Sequence, residues 1–185
     1  GNTLLRYADQ IELNELLCKP ENVLRYPMWE DSSDPASAKP HTGYIEPDFM
    51  TFIKAKSGKK FAMLWEYDRG TFTGKSMNGH ADFRTKCHRI GQLYLSKVWH
   101  KVFPECGNSM RYCTITNREG TDNHGSDRLK NLKEIADEVA TQMWTDSSGK
   151  VTKNKLESAK KRYWFARTSA SLPNVYNPLA SKTIL

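Results

Sequence analysis

Apolar residues recur along the chain with two different spacings. Steps of three and four residues connect Phe83, Cys87 and Ile90, which predicts a helix with one buried face. Apolar, aromatic runs on either side of Ser57-Gly58 are instead typical of two strands joined by a tight turn. In chain order the pattern predicts a helix over 4–18, strands over 23–30, 43–56 and 59–70, a helix over 77–102, a strand over 110–116, a helix over 127–144 and a strand over 162–167.

The segments between these elements are predicted to be loops and linkers. Residues 31–40 and 117–127 are polar and rich in turn-forming residues. The basic stretch between 144 and 162 is interpreted as a linker, and the Pro- and Asn-containing residues after 167 as a tail. Pro27 confines the strand over 23–30 to a sheet edge or a bulge.

This order of elements predicts an α/β fold. Because helices alternate with strands, we expect a mixed central sheet flanked by helices, with the hairpin around Ser57-Gly58 at its centre. A chain of 185 residues can bury a core without disulfides or a structural metal. We therefore expect a single domain over 1–185, with four reduced cysteines.

Charge indicates the class of partner. The chain has 28 Lys and Arg residues against 21 Asp and Glu, a formal net charge of +7. This balance favours a polyanionic partner, because Lys and Arg that contact phosphates release counterions. No apolar run approaches the roughly 20 residues that a membrane-spanning helix needs. We therefore expect a cytoplasmic protein that does not bind membranes.

Three acidic residues lie on the predicted hairpin. Asp48 is in its first strand, and Glu66 and Asp68 are in its second. Side chains alternate faces along a strand and paired strands lie about 4.8 Å apart, so the three carboxylates are expected to converge. Crowded carboxylates repel each other unless a cation such as Mg²⁺ or Mn²⁺ neutralises them. The alternative is an acidic, solvated end of the sheet paired with Arg69.

The residues around the hairpin resemble a known family. The run PDF at 47–49, the run EYDRGT at 66–71 and a following helix with Lys86 and Tyr94 are similar to the PD-(D/E)XK nuclease superfamily. Within it they are most similar to the replication-relaxation family of plasmids and mobile elements. The resemblance covers about residues 9–168, with further similarity in three short segments: IELNEL at 11–16, Trp29-Glu30 and RYWFAR at 162–167.

The resemblance implies a restriction-endonuclease-like core with elements in the order α-β-β-β-α-β, acting on DNA. Asp48 and Glu66 would hold Mg²⁺ or Mn²⁺. Glu15, or else Glu12, would be the acid of the first helix, one turn beyond Ile11 on the inward face; the alternative is a surface glutamate.

The active-site lysine departs from the superfamily pattern. That lysine usually lies two residues after the metal-binding Glu, a position that Asp68 occupies here. Lys86 flanks the buried stripe of the long helix and could point its ammonium into the site instead. Arg69 is the second option, although as the neighbour of Asp68 it should face the other side of the strand. Asp68 could itself serve as a further metal ligand.

Basic residues are predicted to contact DNA phosphates in three places. The alternative for each place is an ordinary solvated surface. The clusters are the hairpin turn with Lys54, Lys56, Lys59 and Lys60, the long helix with Arg84, Lys86, Arg89, Lys97 and Lys101, and the segment from Lys150 to Arg162. Arg69 is a further predicted contact.

Together with these residues, the resemblance implies a metal-dependent DNA endonuclease or nickase acting in plasmid or mobile-element replication, relaxation or transfer. Its expected substrate is double-stranded DNA, including supercoiled DNA. Two alternatives stay open: a DNA-binding module that keeps the nuclease fold without cutting, and a ribonuclease with the same core. We also expect an upstream winged-helix domain, which the family commonly carries, and a homodimer.

Overall fold

A computed structural model describes residues 1–29, 38–68, 83–106, 109–116, 128–146, 148–168, 173–177 and 182–183. The described strands are β1 (Thr3–Asp9), β2 (Leu24–Trp29), β3 (Ala38–Gly43), β4 (Phe49–Lys54), β5 (Lys60–Asp68), β6 (Met110–Thr116), β7 (Tyr163–Thr168), β8 (Pro173–Asn177) and β9 (Lys182–Thr183). The described helices are α1 (Gln10–Leu17), α2 (Phe83–Leu95), α3 (Val98–Val102), α4 (Arg128–Met143) and α5 (Lys153–Lys160).

Seven strands form one mixed sheet in the order β1-β4-β5-β6-β7-β8-β9. β4 pairs antiparallel with β1 and β5, whereas β5, β6 and β7 run parallel to one another. β2 and β3 form a separate antiparallel pair. The predicted α/β fold with a mixed sheet is confirmed, and the predicted hairpin strands, β4 and β5, lie inside the sheet.

The helices lie on one face of this sheet. The crossovers through α2 and α4 move in the same direction, from β5 to β6 and from β6 to β7. Because such crossovers are right-handed, they place both helices on the same side. In the described part of the chain, the buried apolar side chains of the helices pack with Phe52, Leu64 and Tyr112 into one large core.

The long helix predicted over 77–102 is divided in two. Phe83, Cys87 and Ile90 are buried as the spacing predicts, but α2 ends at Leu95 and α3 begins at Val98. Lys97 adopts a left-handed backbone conformation with φ 56°, which ends the helical path. The change of direction buries Trp99 in the core. Positions 77–82 lie outside the described residues.

The helix predicted over 4–18 is wrong for its first half. Residues 3–9 form β1, whose backbone pairs with β4, so pairing within the sheet overrides the near-helical spacing. Asp9 then caps α1 by accepting a hydrogen bond from the backbone N–H of Glu12 at 2.9 Å. The buried residues of α1 are Leu13 and Leu17, whereas Ile11 is 73% exposed and faces outward.

Other segments also differ from the sequence prediction. The basic stretch interpreted as a linker contains α5, which buries only Ala159 fully and therefore gives a weak apolar signal. Residues 38–40, predicted as loop, begin β3, and the tail contributes β8 and β9 through backbone pairing. The described helices include none that is both long enough and apolar enough to cross a membrane.

The reassigned first helix makes a stability prediction. Leu13→Ala should lower the free energy of unfolding by about 2–5 kcal/mol, because it opens a cavity in the core. Ile11→Ala, two residues away, should change it by no more than about 0.5 kcal/mol, because this side chain is mostly in water. Urea unfolding followed by circular dichroism measures both. Equal losses for the two variants would contradict the orientation of α1.

Candidate active site

Asp48 lies opposite Glu66 where β4 and β5 meet. The backbone N–H of Asp48 donates to the carbonyl of Trp65 at 2.9 Å, which continues the strand pairing one residue before β4. The backbone N–H of Tyr67 donates to Oδ2 of Asp48 at 2.6 Å and fixes that carboxylate. The predicted meeting of these two acids across the hairpin is therefore observed.

Glu66 binds a different donor with each carboxylate oxygen. Lys86, from the first turn of α2, donates to its Oε1 and forms an ion pair with it. The buried hydroxyl of Tyr112, from β6, donates to its Oε2 at 3.4 Å. Glu66 is buried, whereas the side chain of Lys86 stays 26% exposed. The structure thus places Lys86 at the site, as its position beside the buried stripe predicts.

The environment of Glu66 disfavours its ionised form. Burial raises the pKa of Glu66 above its ordinary value of 4.5, and the negative charge of Asp48 raises it further. The positive charge of Lys86 and the hydrogen bonds from Lys86 and Tyr112 lower the pKa of Glu66, but burial is the largest effect and the net direction is upward. The negative charge of Glu66 beside Asp48 is therefore only partly neutralised by Lys86, which would favour the approach of a further cation.

Asp68 is held by an arginine. Its side chain is completely buried, and Arg128, the first residue of α4, donates from Nε to Oδ2 at 2.8 Å and from Nη2 to Oδ1 at 3.1 Å. This two-pronged contact neutralises the carboxylate inside the protein. The expected convergence of three carboxylates is thus corrected to the pair Asp48 and Glu66. Among the described residues, no group of three or more His, Cys, Asp or Glu side chains could hold a metal ion.

The acid expected from the first helix does not point inward. Glu15 is exposed, because the buried stripe of α1 runs through Leu13 and Leu17. Glu12, the second option, forms an ion pair with Arg6. The expectation for Glu15 depended on Ile11 facing the core, and the start of α1 at Gln10 reverses that orientation.

The predicted phosphate contacts divide into two groups. Lys56, Lys59 and Lys60 are exposed at the hairpin turn, but Lys60 is six residues along β5 from Glu66, about 20 Å away. These lysines therefore lie at the opposite end of the hairpin from the acidic pair, rather than around it. Arg69 falls outside the described residues.

Two arginines of α2 bind within the protein. Arg84 donates to Glu138 at 2.6 Å. Arg89 donates to the hydroxyl of Tyr26 and to the carbonyl of Tyr44, both at 3.0 Å. These contacts join α2 to other parts of the fold, and the expectation that Arg84 and Arg89 also contact DNA stays a prediction.

Three site residues were not predicted from the sequence: Tyr112, Thr114 and Arg128. Tyr112 and Thr114 belong to β6, a strand predicted only from its apolar residues. Alternation places both on the face of Glu66, but only once the register between β5 and β6 is known. Thr114 is fully buried beside Glu66, and its hydroxyl has no hydrogen-bond partner among the described residues. Such a hydroxyl is a ready partner for a bound water.

The Asp68–Arg128 pair should be important for stability. Arg128→Met removes the two hydrogen bonds and the positive charge that the buried carboxylate of Asp68 receives from Arg128 and should cost about 3–5 kcal/mol, whereas Asp68→Asn combined with Arg128→Met should recover part of that loss. Arg25→Met, the same substitution at an exposed position of β2, is the matched control and should cost less than about 0.5 kcal/mol. Urea unfolding of the wild type and the three variants at neutral pH gives these values. If Arg128→Met lowered the free energy of unfolding as little as Arg25→Met does, the prediction that the Asp68–Arg128 pair stabilises the fold would be wrong.

The raised pKa of Glu66 predicts a pH dependence of stability. Between the ordinary value of 4.5 and the raised folded value, the folded protein keeps a proton that the unfolded chain releases, so stability falls as pH rises through this interval. Glu66→Gln should remove this contribution, and its stability relative to wild type should therefore increase with pH. Urea midpoints measured from pH 4 to 8 test this, with exposed Glu157→Gln as the control that keeps the wild-type slope. Parallel curves for wild type and Glu66→Gln would contradict the prediction.

Comparisons with known proteins return no relative, since no family model, no curated protein and no solved structure matches the chain. The functional interpretation therefore depends on the geometry of Asp48, Glu66 and Lys86.

Proposed function

We propose that this domain is a metal-dependent phosphodiesterase, a DNA endonuclease or nickase of the PD-(D/E)XK type. The observation that carries the proposal is the arrangement of Asp48, Glu66 and Lys86. Two carboxylates from adjacent antiparallel strands face each other, and a lysine from the next helix contacts one of them. These are the residue types that the resemblance to replication-relaxation nucleases assigns to the reaction.

The order of the elements gives partial support. The antiparallel strands β4 and β5, the crossover helix α2 and the parallel strand β6 follow the second half of the α-β-β-β-α-β order. The first half departs from it. The segment expected as the first core strand is β2, which pairs with β3 in the separate two-stranded sheet. β1 occupies the place beside β4 instead.

The donor set fits a small divalent cation. Mg²⁺ keeps several waters and is commonly held by one or two carboxylates together with substrate phosphates, so Asp48 and Glu66 suffice as protein ligands. Bound there, Mg²⁺ or Mn²⁺ would lower the pKa of a water and neutralise charge on the phosphate. Oδ1 of Asp48 has no hydrogen-bond donor among the described residues, in contrast to Oδ2, which Tyr67 binds, and Thr114 could hold a water beside Glu66.

Lys86 would supply the positive charge that the usual motif lysine supplies. Its ammonium lies against Glu66 and its side chain is 26% exposed, so we expect it to turn toward a phosphate that approaches the carboxylate pair. A positioned cation of this kind stabilises the negative charge that develops in the transition state. Asp68 takes no direct part, because Arg128 engages both of its oxygens.

The second candidate is a DNA-binding module that keeps the fold without cutting. The observation that favours it is the existing charge compensation: Lys86 pairs with Glu66 and Arg128 with Asp68, which neutralises two of the three acids without a metal. A ribonuclease with the same residues is the third candidate, and substrate choice separates it from the first.

Plasmid nicking tests the proposal. With Mn²⁺, the wild-type protein should convert supercoiled plasmid to open circles, and EDTA should stop the reaction. Asp48→Asn removes a metal ligand and should lower the rate more than about 100-fold. Lys86→Met should lower the rate about 100- to 1,000-fold, because a transition-state cation is lost. Glu157→Gln, an exposed change on α5, should leave the rate unaltered.

Calorimetric titration with Mn²⁺ provides the control for this experiment. Binding by the wild type that Asp48→Asn abolishes, together with unchanged unfolding midpoints, assigns the loss of nicking to the metal site. No nicking by the wild type, with plasmid binding retained, would favour the non-catalytic module. Cleavage of RNA alone would favour the ribonuclease.

A further inference from the structure

The sheet face opposite the acidic site has a row of aromatic side chains. Tyr7, Phe49 and Trp65 come from the adjacent strands β1, β4 and β5, with ring centroids 5.9 Å and 5.4 Å apart. The rings of Phe49 and Trp65 are within 10° of parallel. Tyr67 follows Trp65 on the same face by alternation and is 37% exposed, and Tyr7 is 55% exposed.

No described helix covers this face. The apolar cluster on this side consists of strand residues alone, with Met63, Cys113 and Ala166 at its buried centre. The helices of the described ranges pack into the large core on the other side. Trp65 and its neighbours are therefore partly exposed although they lie in the middle of a seven-stranded sheet.

The rings on this face are held in place before any ligand binds. The indole Nε1 of Trp65 donates to the hydroxyl of Thr51 at 2.9 Å, which fixes the orientation of that ring. Phe49 packs between Trp65 and Tyr7. A prearranged aromatic surface loses little conformational entropy when a planar ligand stacks on it.

The charges around the face are mostly positive. Lys56 and Lys59 lie in the turn between β4 and β5, and both are exposed. Lys54 and Lys60 pair at the same end, but by alternation they share the face of Met50 and Leu64 and do not belong to the aromatic face. Farther along the face, the guanidinium of Arg111 lies 5.9 Å from the centre of the Trp164 ring. Asp9 is the nearby acid on β1, and its carboxylate caps α1.

We propose that this face binds single-stranded nucleic acid, with unpaired bases stacking on Tyr7, Trp65 and Tyr67. Exposed rings and a lysine-rich end together match the chemistry of such a ligand, because bases have flat apolar surfaces and the backbone is anionic. A duplex is a poorer match, since its bases are already stacked on one another and inaccessible to a flat sheet. This proposal adds to the proposed function a preference for single-stranded nucleic acid. It does not depend on whether the domain hydrolyses phosphodiester bonds.

Oligonucleotide binding in EDTA tests the proposal without any contribution from the metal site. Fluorescence anisotropy would compare a labelled oligothymidine with a labelled duplex of the same length, and the single strand should bind more tightly. Tyr7→Ala with Tyr67→Ala should weaken single-strand binding at least about tenfold, because two stacking rings are lost. Tyr7→Phe with Tyr67→Phe keeps the rings and should stay within about twofold of the wild type. Ile11→Ala removes an exposed apolar side chain from α1 and is the control outside the face.

The lysine end is tested by the salt dependence of the same binding. Lys56→Gln with Lys59→Gln should reduce the slope of log affinity against log salt by about 1.4, the value for two phosphate contacts on a single strand. Unchanged urea midpoints show that each variant is folded.

Three results would overturn the proposal. They are wild-type affinity in the double alanine variant, tighter binding of the duplex than of the single strand, and a wild-type dimer in sedimentation that Tyr7→Ala converts to monomer. The last result would assign the face to a second copy of the chain. Absence of plasmid nicking would count against the phosphodiesterase only, because the binding assay contains no divalent ion.

Discussion

The structure depends on the need to neutralise two acids buried on a single strand. Glu66 and Asp68 point from β5 into the face that the helices cover, where an unpaired carboxylate would be very costly. Each finds its cation at the start of a crossover helix: Lys86 in the first turn of α2 and Arg128 at the first residue of α4. The ends of the helices favour this arrangement too, because backbone N–H groups at a helix start attract negative charge. These two charge pairs therefore hold the first turns of α2 and α4 in position over β5.

The two pairs differ in what they permit. Arg128 and Asp68 are both buried, and their paired hydrogen bonds use both carboxylate oxygens. This contact therefore cannot exchange partners without being lost. Lys86 is partly exposed and binds one oxygen of Glu66, with Asp48 across the strand pair. A partly exposed ammonium can exchange partners at little cost. The difference separates a structural acid, Asp68, from an acid that remains available for chemistry, Glu66.

Local patterns predicted the parts of the fold that local physics determines. The hairpin of β4 and β5, the buried stripe of α2, and the meeting of Asp48 with Glu66 follow from alternation and helical spacing. Lys86 was found in the same way, since it flanks that stripe. Residues 3–9 could not be assigned correctly, because their strand conformation depends on pairing with β4, some 45 residues later. Arg128 could not be paired with Asp68 for the same reason, since 60 residues separate them and the intervening helix and strand bring them together.

The charge balance around Glu66 is the physical basis for the proposal that this site takes up a cation. Asp48 and Glu66 place two negative charges together, and Lys86 supplies one positive charge. Burial raises the pKa of Glu66 by disfavouring its charged form, and the charge of Asp48 raises it further, so protonation or uptake of a positive ion would each relieve the site. A proton neutralises one carboxylate only, whereas the proposed Mg²⁺ or Mn²⁺, held by Asp48 and Glu66, would compensate both charges and leave Lys86 able to contact a phosphate. In the proposed function, the same imbalance of charge would contribute to the free energy of binding a metal ion and a polyanion together.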